Sequence, residues 1–248
     1  MDYQTAQNIY DDPHFFSGYS QLPRQVHGLA GAPEWPALCA MFPDVTDRRA
    51  LDLGCGFGWV SRWLREHGAR SVLGVDLSRN MILRARETTT DPAIDYRIAD
   101  IETIELPVGA FDFAFSSLTF HYIRDFARLA RMVYRALMPG SHFVFSIEHP
   151  IFMAAADPHW IVDEDGRKTW PVNRYALEGE RRTNWLAAGV VKHHRTIATT
   201  LNALIGAGFA IEAVSEFAPT SEQIRENLGL QEELERPMML LVSVRRQA

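Results

Sequence analysis

The feature that most constrains this chain is a glycine cluster at one junction. Leu51-Asp52-Leu53-Gly54-Cys55-Gly56-Phe57-Gly58 stands between a short apolar run at 49–53 and an amphipathic pattern at 59–66. The run reads as a buried strand. The second pattern reads as a helix, with Val60, Trp63 and Leu64 on one face and Gly68 closing it. Glycines between a strand and a helix permit a tight turn and close backbone approach to a ligand, at the end of a helix whose free N–H groups favour negative charge.

The same rhythm continues. Strand patterns at 71–75, 94–98, 111–116 and 142–147 alternate with helix patterns at 78–87, capped by Ser78, and at 124–137, stopped by Pro139-Gly140. Alternating strands and helices predict a mostly parallel sheet with helices on both faces. The near-continuous apolar strands fit burial on both sides. A helix pattern returns at 196–207, followed by a strand at 209–217, a helical stretch at 221–235 broken at Gly229, and a last strand from Pro237. Two late strands joined by so short a helical link predict an antiparallel end to the sheet. The fold class expected is α/β, with seven strands.

Two segments break the rhythm. Residues 1–45 are rich in aromatics, prolines and glycines, and residues 151–192 carry Trp160, Trp170, Tyr175 and Trp185 among charges. Loops this long in a compact domain are usually functional or carry structure of their own. One domain is expected over 1–248: an N-terminal cap at 1–45, a ligand-binding half at 46–150, an insertion or lid at 151–192, and a C-terminal helix and strands at 193–248. A dimer contact is the competing use of the insertion.

Composition narrows the function. The 25 Lys and Arg against 31 Asp and Glu leave a formal charge of −6, without the broad basic footprint of a nucleic-acid binder. Hydrophobic residues at 47% suit a globular core. Two cysteines, Cys39 and Cys55, make no disulfide framework and suggest a reducing compartment. The polar Met1-Asp2-Tyr3-Gln4 start lacks a signal-peptide core, and no stretch reaches the ~18 apolar residues of a membrane helix. A cytoplasmic protein without nucleic-acid or membrane partners is expected. No Cys or His pairing has zinc spacing, so no metal is expected.

The loop then distinguishes cofactors. A dinucleotide fingerprint needs Gly-x-Gly-x-x-Gly, but Trp59 stands where the third glycine belongs. Asp76 ends the second strand at close to the ~20-residue spacing of an acid that grips ribose hydroxyls. Asp100 follows the third strand, where a carboxylate can accept from an adenine amino group. Three ligand-facing features at three successive strand ends match where open α/β sheets bind ligands.

These residues resemble the class I S-adenosylmethionine-dependent methyltransferases. ALDLGCGFG is similar to their first motif, VLGVDLS to the second, Ala99-Asp100-Ile101 to the third and FDFAFSSLTFHYI to the fourth. RALMPGSHFVFSIEHP resembles the helix, turn and fifth strand that follow. The nearest likeness is to the bacterial small-molecule enzymes of ubiquinone/menaquinone type. The resemblance implies a Rossmann-like sheet. It also implies methyl transfer from S-adenosylmethionine to an O, N or C atom of a small molecule by direct displacement, with S-adenosylhomocysteine as product. It places Gly54, Cys55 and Gly56 against the methionine part of the cofactor. Asp76 falls on the ribose, with Leu77 against adenine, Asp100 and the Ile101 amide on the adenine edge, and the Ser116 carbonyl on the amino group. Met81 is a candidate to pack on adenine or to sit in the core.

Position alone nominates the rest. Tyr10, Phe15, Phe16 and Tyr19 in the cap could face a sulfonium, since aromatic faces suit a cation. Arg24 is a candidate partner for the methionine carboxylate. His121 and His149 follow the fourth and fifth strands and are candidates for base or acceptor contact, with Glu148 the alternative on the opposite side of its strand. His193 and His194 are expected to start the next helix. The competing readings are a nicotinamide-dependent oxidoreductase and a non-catalytic S-adenosylmethionine-binding protein. A homodimer is compatible with the sequence.

Overall fold

A computed structural model describes residues 7–248; the first six residues of the cap, with the polar start noted above, lie outside the described residues. The chain opens with short helices α1 (Pro13–Tyr19), α2 (Pro23–Val26) and α3 (Trp35–Cys39). The αβ rhythm follows: β1 (Arg49–Leu53), α4 (Trp59–Glu66), β2 (Ser71–Asp76), α5 (Arg79–Glu87), β3 (Ile94–Ile98), β4 (Phe111–Ser117), α6 (Phe126–Ala136) and β5 (Leu137–Glu148). The insertion holds α7 (Pro150–Ala154) and two hairpins, β6 (Ile161–Val162) with β7 (Lys168–Thr169), and β8 (Gly179–Trp185) with β9 (Ala187–His194). The chain ends with α8 (Ile197–Ala207), β10 (Phe209–Glu216), α9 (Ser221–Glu226) and β11 (Met239–Arg246).

Seven strands form one sheet in the order β3-β2-β1-β4-β5-β11-β10. The first five pair in parallel, and β11 runs antiparallel to both β5 and β10. This is the Rossmann-like α/β architecture expected from the strand–helix alternation and the two late strands.

Strand alternation divides the core between the two faces. Leu51 and Leu53 point to the side where α6 and α8 pack Phe126, Leu129, Val133 and Leu204. Ala50 points to the other side, where α3, α4 and α5 pack Leu38, Val60, Leu64 and Ile82. Side-chain caps start these helices: Ser78 accepts from the Met81 N–H, Asp125 from Arg128 and Thr196 from Thr199.

Three element boundaries differ from expectation. Helix α6 ends at Ala136, and β5 already begins at Leu137. Pro139-Gly140 falls inside a register shift, between the pairs Phe111/Leu137 and Phe113/His142, so a bulge absorbs the residue that cannot donate to the ladder. The helical stretch at 221–235 divides into α9 and a 3₁₀ turn at Leu228–Leu234, because the Asn227 side chain caps the Gly229 N–H and restarts the chain. His193 and His194 end β9 instead of opening a helix; they pair with Glu180 and Gly179 across the hairpin.

Candidate active site

The turn after β1 is a backbone cradle. The N–H groups of Gly54 and Cys55 both donate to the Val75 carbonyl, at 2.7 and 3.0 Å, which ties the turn to the end of β2. Gly54 has φ +72°, and a Cβ there would stand 2.1 Å from Thr119 Oγ1. Only glycine fits. Gly56 has φ +52°, yet a Cβ there would meet nothing within 4 Å. The turn is packed shut on one side and open on the other.

Asp76 closes the cradle from β2. One carboxylate oxygen accepts from the Gly56 N–H and the other from the Ser78 N–H, each at 2.9 Å. Both oxygens keep a lone pair for further donors. Burial, helped by the charge of Asp11, pushes its pKa up to about 6 against the pull of those backbone bonds. Asp52, next to it on β1, accepts from Ser61 Oγ at 2.6 Å, and burial raises its pKa to about 7.

Two cavities open from this cradle. The smaller, about 70 Å³, is lined by Asp76, Leu77, Asp100 and Ile101, with Asn8 and Tyr10 over them. The larger, about 400 Å³, lies beyond Cys55 and Gly56 and reaches the cap and the β8–β9 hairpin. Gly54, Tyr10 and Tyr122 line both, so the cavities adjoin at these residues. The Tyr10 hydroxyl donates to the Tyr122 hydroxyl at 3.0 Å. The cap is fixed by Asp11, which accepts from Ser78 Oγ (2.6 Å) and from the N–H groups of Asn80 (3.0 Å) and Arg79 (3.2 Å) at the start of α5.

A narrow cavity lined by two strand-end acids, beside a larger and mostly apolar one, suits a nucleoside joined to a second group. Comparison with known proteins gives its identity. A protein-family profile described as a methyltransferase domain matches residues 51–145. The crystal structure of an S-adenosylmethionine-dependent methyltransferase from Mesorhizobium loti is 60% identical, covers 88% of this chain and 100% of its own, and superposes with a TM-score of 0.85. The chain belongs to the S-adenosylmethionine-dependent methyltransferases. An uncharacterized protein of Haemophilus influenzae is 30% identical over 247 residues, spanning 96% of this chain and 97% of the relative. The malonyl-[acyl-carrier protein] O-methyltransferase of Serratia marcescens is 40% identical over 96 residues, only 39% of this chain and 36% of that enzyme. The oxidoreductase and non-catalytic readings fall with this assignment, and the cofactor is S-adenosylmethionine.

The methyltransferase brings most of the sequence-nominated residues together. Asp76, Leu77, Asp100 and Ile101 line the smaller cavity; Tyr19, Arg24, Cys55, Gly56 and His121 line the larger; Gly54 lines both. The donor set fits the cofactor: acids at two strand ends, bare backbone at Gly56, and an arginine in the larger cavity. Arg24 is not a solvated residue. Its guanidinium is ion-paired with the buried Glu34 and donates to Ser117 Oγ at 3.3 Å.

Three nominated residues stand elsewhere. Met81 is a buried residue of α5 and lines neither cavity. Ser116 points its hydroxyl back to the Leu53 carbonyl at 2.6 Å, and Ser117, one residue on, lines the cavity in its place. His149 is fully buried away from both cavities. Its Nδ1 accepts from the Ile151 N–H as the cap of α7, and its Nε2 lies 2.9 Å from Glu216. Strand alternation turns it away from the site and turns Glu148 toward it.

A buried polar cluster occupies the hairpin end of the larger cavity. Lys192 Nζ donates to Glu148 Oε1 at 2.5 Å and lies over the rings of Trp185 (5.1 Å) and Tyr122 (5.9 Å). Burial opposes the charge on Glu148, but the Lys192 ammonium bonded to it outweighs burial and holds the carboxyl below its usual range. His121 is 3% exposed, and burial lowers its pKa to about 3, so its ring is neutral. Its Nδ1 accepts from the Glu148 N–H at 3.4 Å, which leaves Nε2 carrying the proton, 3.9 Å from Glu148 Oε1. Lys192 and Thr183 were not singled out by sequence reasoning, and Trp185 only as one aromatic of the insertion. The alternation Arg181, Thr183, Trp185 against Val190, Lys192, His194 was the available signal, because a period of two puts these residues on one hairpin face.

Proposed function

We propose that this methyltransferase acts on a small molecule held in the larger cavity. The observation that carries the reading is how that cavity is built. Tyr19, Leu22 and Arg24 of the cap and Thr183, Trp185 and Lys192 of the hairpin meet above the strand ends and roof the cavity. At about 400 Å³ it falls in the range of small-molecule sites, shared here between the methionine part of the cofactor and an acceptor. A broad basic groove, which a nucleic-acid acceptor would need, is not what lines it.

S-adenosylmethionine supplies a methyl group on a sulfonium, transferred by direct displacement to an O, N or C atom. The protein's part is alignment and exclusion of water. Asp76 holds the ribose hydroxyls through its free lone pairs, and Asp100 with the Ile101 amide reads the adenine edge. Leu77 packs against the base. Gly54, Cys55 and Gly56 present backbone to the methionine part, and Arg24 takes its carboxylate. Tyr10 and Tyr122 stand where the two cavities adjoin, and Tyr19, edge-on to Tyr10 at 5.0 Å, lines the larger one with its hydroxyl pushed up to about 12 by burial and therefore neutral. These rings face a cation without offering it a nucleophile. His121, neutral, contacts the acceptor end through the Glu148 cluster.

The test uses S-adenosylmethionine labelled in its methyl group and two fractions of a bacterial lysate, one of small metabolites and one of macromolecules. Labelled product from the small-molecule fraction is expected. Label appearing only in protein or nucleic acid would overturn the small-acceptor reading and leave the methyltransferase assignment intact.

A further inference from the structure

Nine buried side-chain polar atoms lack a hydrogen-bond partner among the described residues, and four of them belong to residues lining the larger cavity: Gln25 Oε1, Trp59 Nε1, Glu148 Oε2 and Thr183 Oγ1. Buried polar atoms are rarely left unmatched in a native protein unless something else satisfies them. Glu148 Oε2 is the costliest of the four, because it belongs to an ionised carboxylate. Its other oxygen is taken by Lys192. Neighbouring donors do not reach it: the Tyr122 hydroxyl, which accepts from Tyr10, makes no bond to Oε2, and the His121 proton lies toward Oε1. Thr183 Oγ1 belongs to the hairpin face that also carries Lys192 and Trp185.

We propose that Glu148, kept ionised by Lys192 and seconded by Thr183, is the residue that selects the acceptor, and that it selects a compound with an apolar, ring-sized body presenting an O–H or N–H donor and bearing no carboxylate. This rests on the small-acceptor reading and sharpens it. A donor is required because Oε2 is acceptor-only and has no other partner among the described residues. A carboxylate is excluded because it would meet a like charge at Oε2, while Lys192 beside it is already bonded to Oε1 and set against two rings. The apolar body follows from the walls, where Tyr122 and Trp185 flank the pair. The donor group need not be the atom that is methylated.

Three near-isosteric probes separate the possibilities: benzyl alcohol, toluene and benzoate, each titrated by ligand-observed NMR into the full chain saturated with S-adenosylhomocysteine. On the unaltered protein, benzyl alcohol is expected to bind at least about tenfold tighter than the other two, since a site built around a buried acceptor rejects analogues that leave it unpaired. In Glu148→Gln the ranking is expected to reverse: benzyl alcohol weakens by about tenfold, and benzoate gains by a similar factor from the freed Lys192. S-adenosylhomocysteine affinity reports that the variant is folded, and the ranking on the unaltered protein needs no variant. Benzoate binding as tightly as benzyl alcohol, or a ranking untouched by the substitution, would overturn the assignment of Glu148. Failure of all three probes with normal S-adenosylhomocysteine binding has a different meaning, because it removes the small-acceptor reading and this inference with it.

Discussion

The two cavities are built from different materials. The floor of the smaller cavity, to which we assign the nucleoside, is made of strand ends, the Gly54 turn and two carboxylates fixed by the parallel register of β1, β2 and β3, with Asn8 and Tyr10 of the cap over it. The larger cavity, which we assign to the methionine part and the acceptor, joins strand-end residues such as Cys55, Ser117 and Glu148 to side chains from the cap and the β8–β9 hairpin, segments outside the αβ repeat. The family profile covers 51–145, and the malonyl-[acyl-carrier protein] relative matches over 96 residues, 39% of this chain. Chemistry common to a large family sits on the sheet, and what differs between its members can be carried by the additions. The same division appears in many folds whose sites lie on loops placed by a rigid scaffold.

Substitution within the glycine turn should break this comparison most sharply. Gly54→Ala forces a Cβ to within 2.1 Å of Thr119 Oγ1 at a left-handed φ. A loss of about 2–5 kcal/mol of stability is expected from the strain and overpacking together, read by chemical denaturation. Gly56→Ala meets nothing within 4 Å and should lose only about 1–2 kcal/mol, yet it should weaken S-adenosylmethionine binding, because the open space lies on the ligand side. Equal destabilisation by the two would mean that the turn has no open face.

The same contrast explains what was legible in the sequence. Strand positions, the seven-strand sheet and its antiparallel end followed from apolar runs and glycine punctuation, because parallel strands buried on both faces leave a strong signal. Asp76 and Asp100 followed from spacing along those strands. At Ser116 the nominated atom is the backbone carbonyl, which the turn of its hydroxyl toward Leu53 does not address, while a period of two brings the Ser117 side chain to the cavity. His149 missed the cavity because neighbours on a strand face opposite ways, with Glu148 taking the inward face. The hairpin was harder: seven- and eight-residue strands with Arg, Glu and Lys on both faces resemble a charged loop, and only the pairing reveals Lys192 as buried. The partners of Arg24 and Glu148 were not visible at all, because Glu34, Ser117 and Lys192 meet them only through tertiary contact.

A smaller effect, in affinity and not in folding, is expected at Asp76. Burial raises its pKa to about 6, so the ionised form that ribose hydroxyls require appears only as the pH rises past that value. S-adenosylmethionine affinity, measured by calorimetry, should therefore increase between about pH 5 and pH 7 and then level off. Folding runs the other way. A carboxyl whose folded pKa is raised contributes stability that is present below its unfolded pKa and lost as pH rises through about 6. Asp76→Asn should weaken binding by about tenfold or more near neutral pH and abolish the pH slope. A slope that survives the substitution would assign it to another group, with Asp52, at about 7, the next in line.

The least disruptive change sharpens the comparison at its seam, where the cap meets the sheet. Asp11 belongs to the cap, yet its carboxylate accepts from Ser78 Oγ and from the Asn80 and Arg79 N–H groups of the cofactor half. Burial opposes its charge, but the bonds from Asn80, Ser78, Arg79 and Asn8 outweigh it and lower the pKa. A lowered carboxyl pKa gives stability present above the unfolded value and lost as pH falls through the folded one, the opposite sense to Asp76. Asp11 acts as a second cap on α5 supplied from 67 residues away in sequence. Asp11→Ala should cost about 1 kcal/mol, the usual worth of a helix cap, because Ser78 still caps the helix locally. The larger consequence is kinetic. Asn8 and Tyr10, on either side of the 3₁₀ turn's Ile9, line the smaller cavity, so the turn that Asp11 fastens roofs the nucleoside end of the site. Stopped-flow displacement should then show S-adenosylhomocysteine leaving Asp11→Ala several-fold faster, with little change in its association rate. If both rates are unchanged, the cap packs beside the cofactor without holding it, and the boundary between the two regions lies at Gly54 and not at Tyr10.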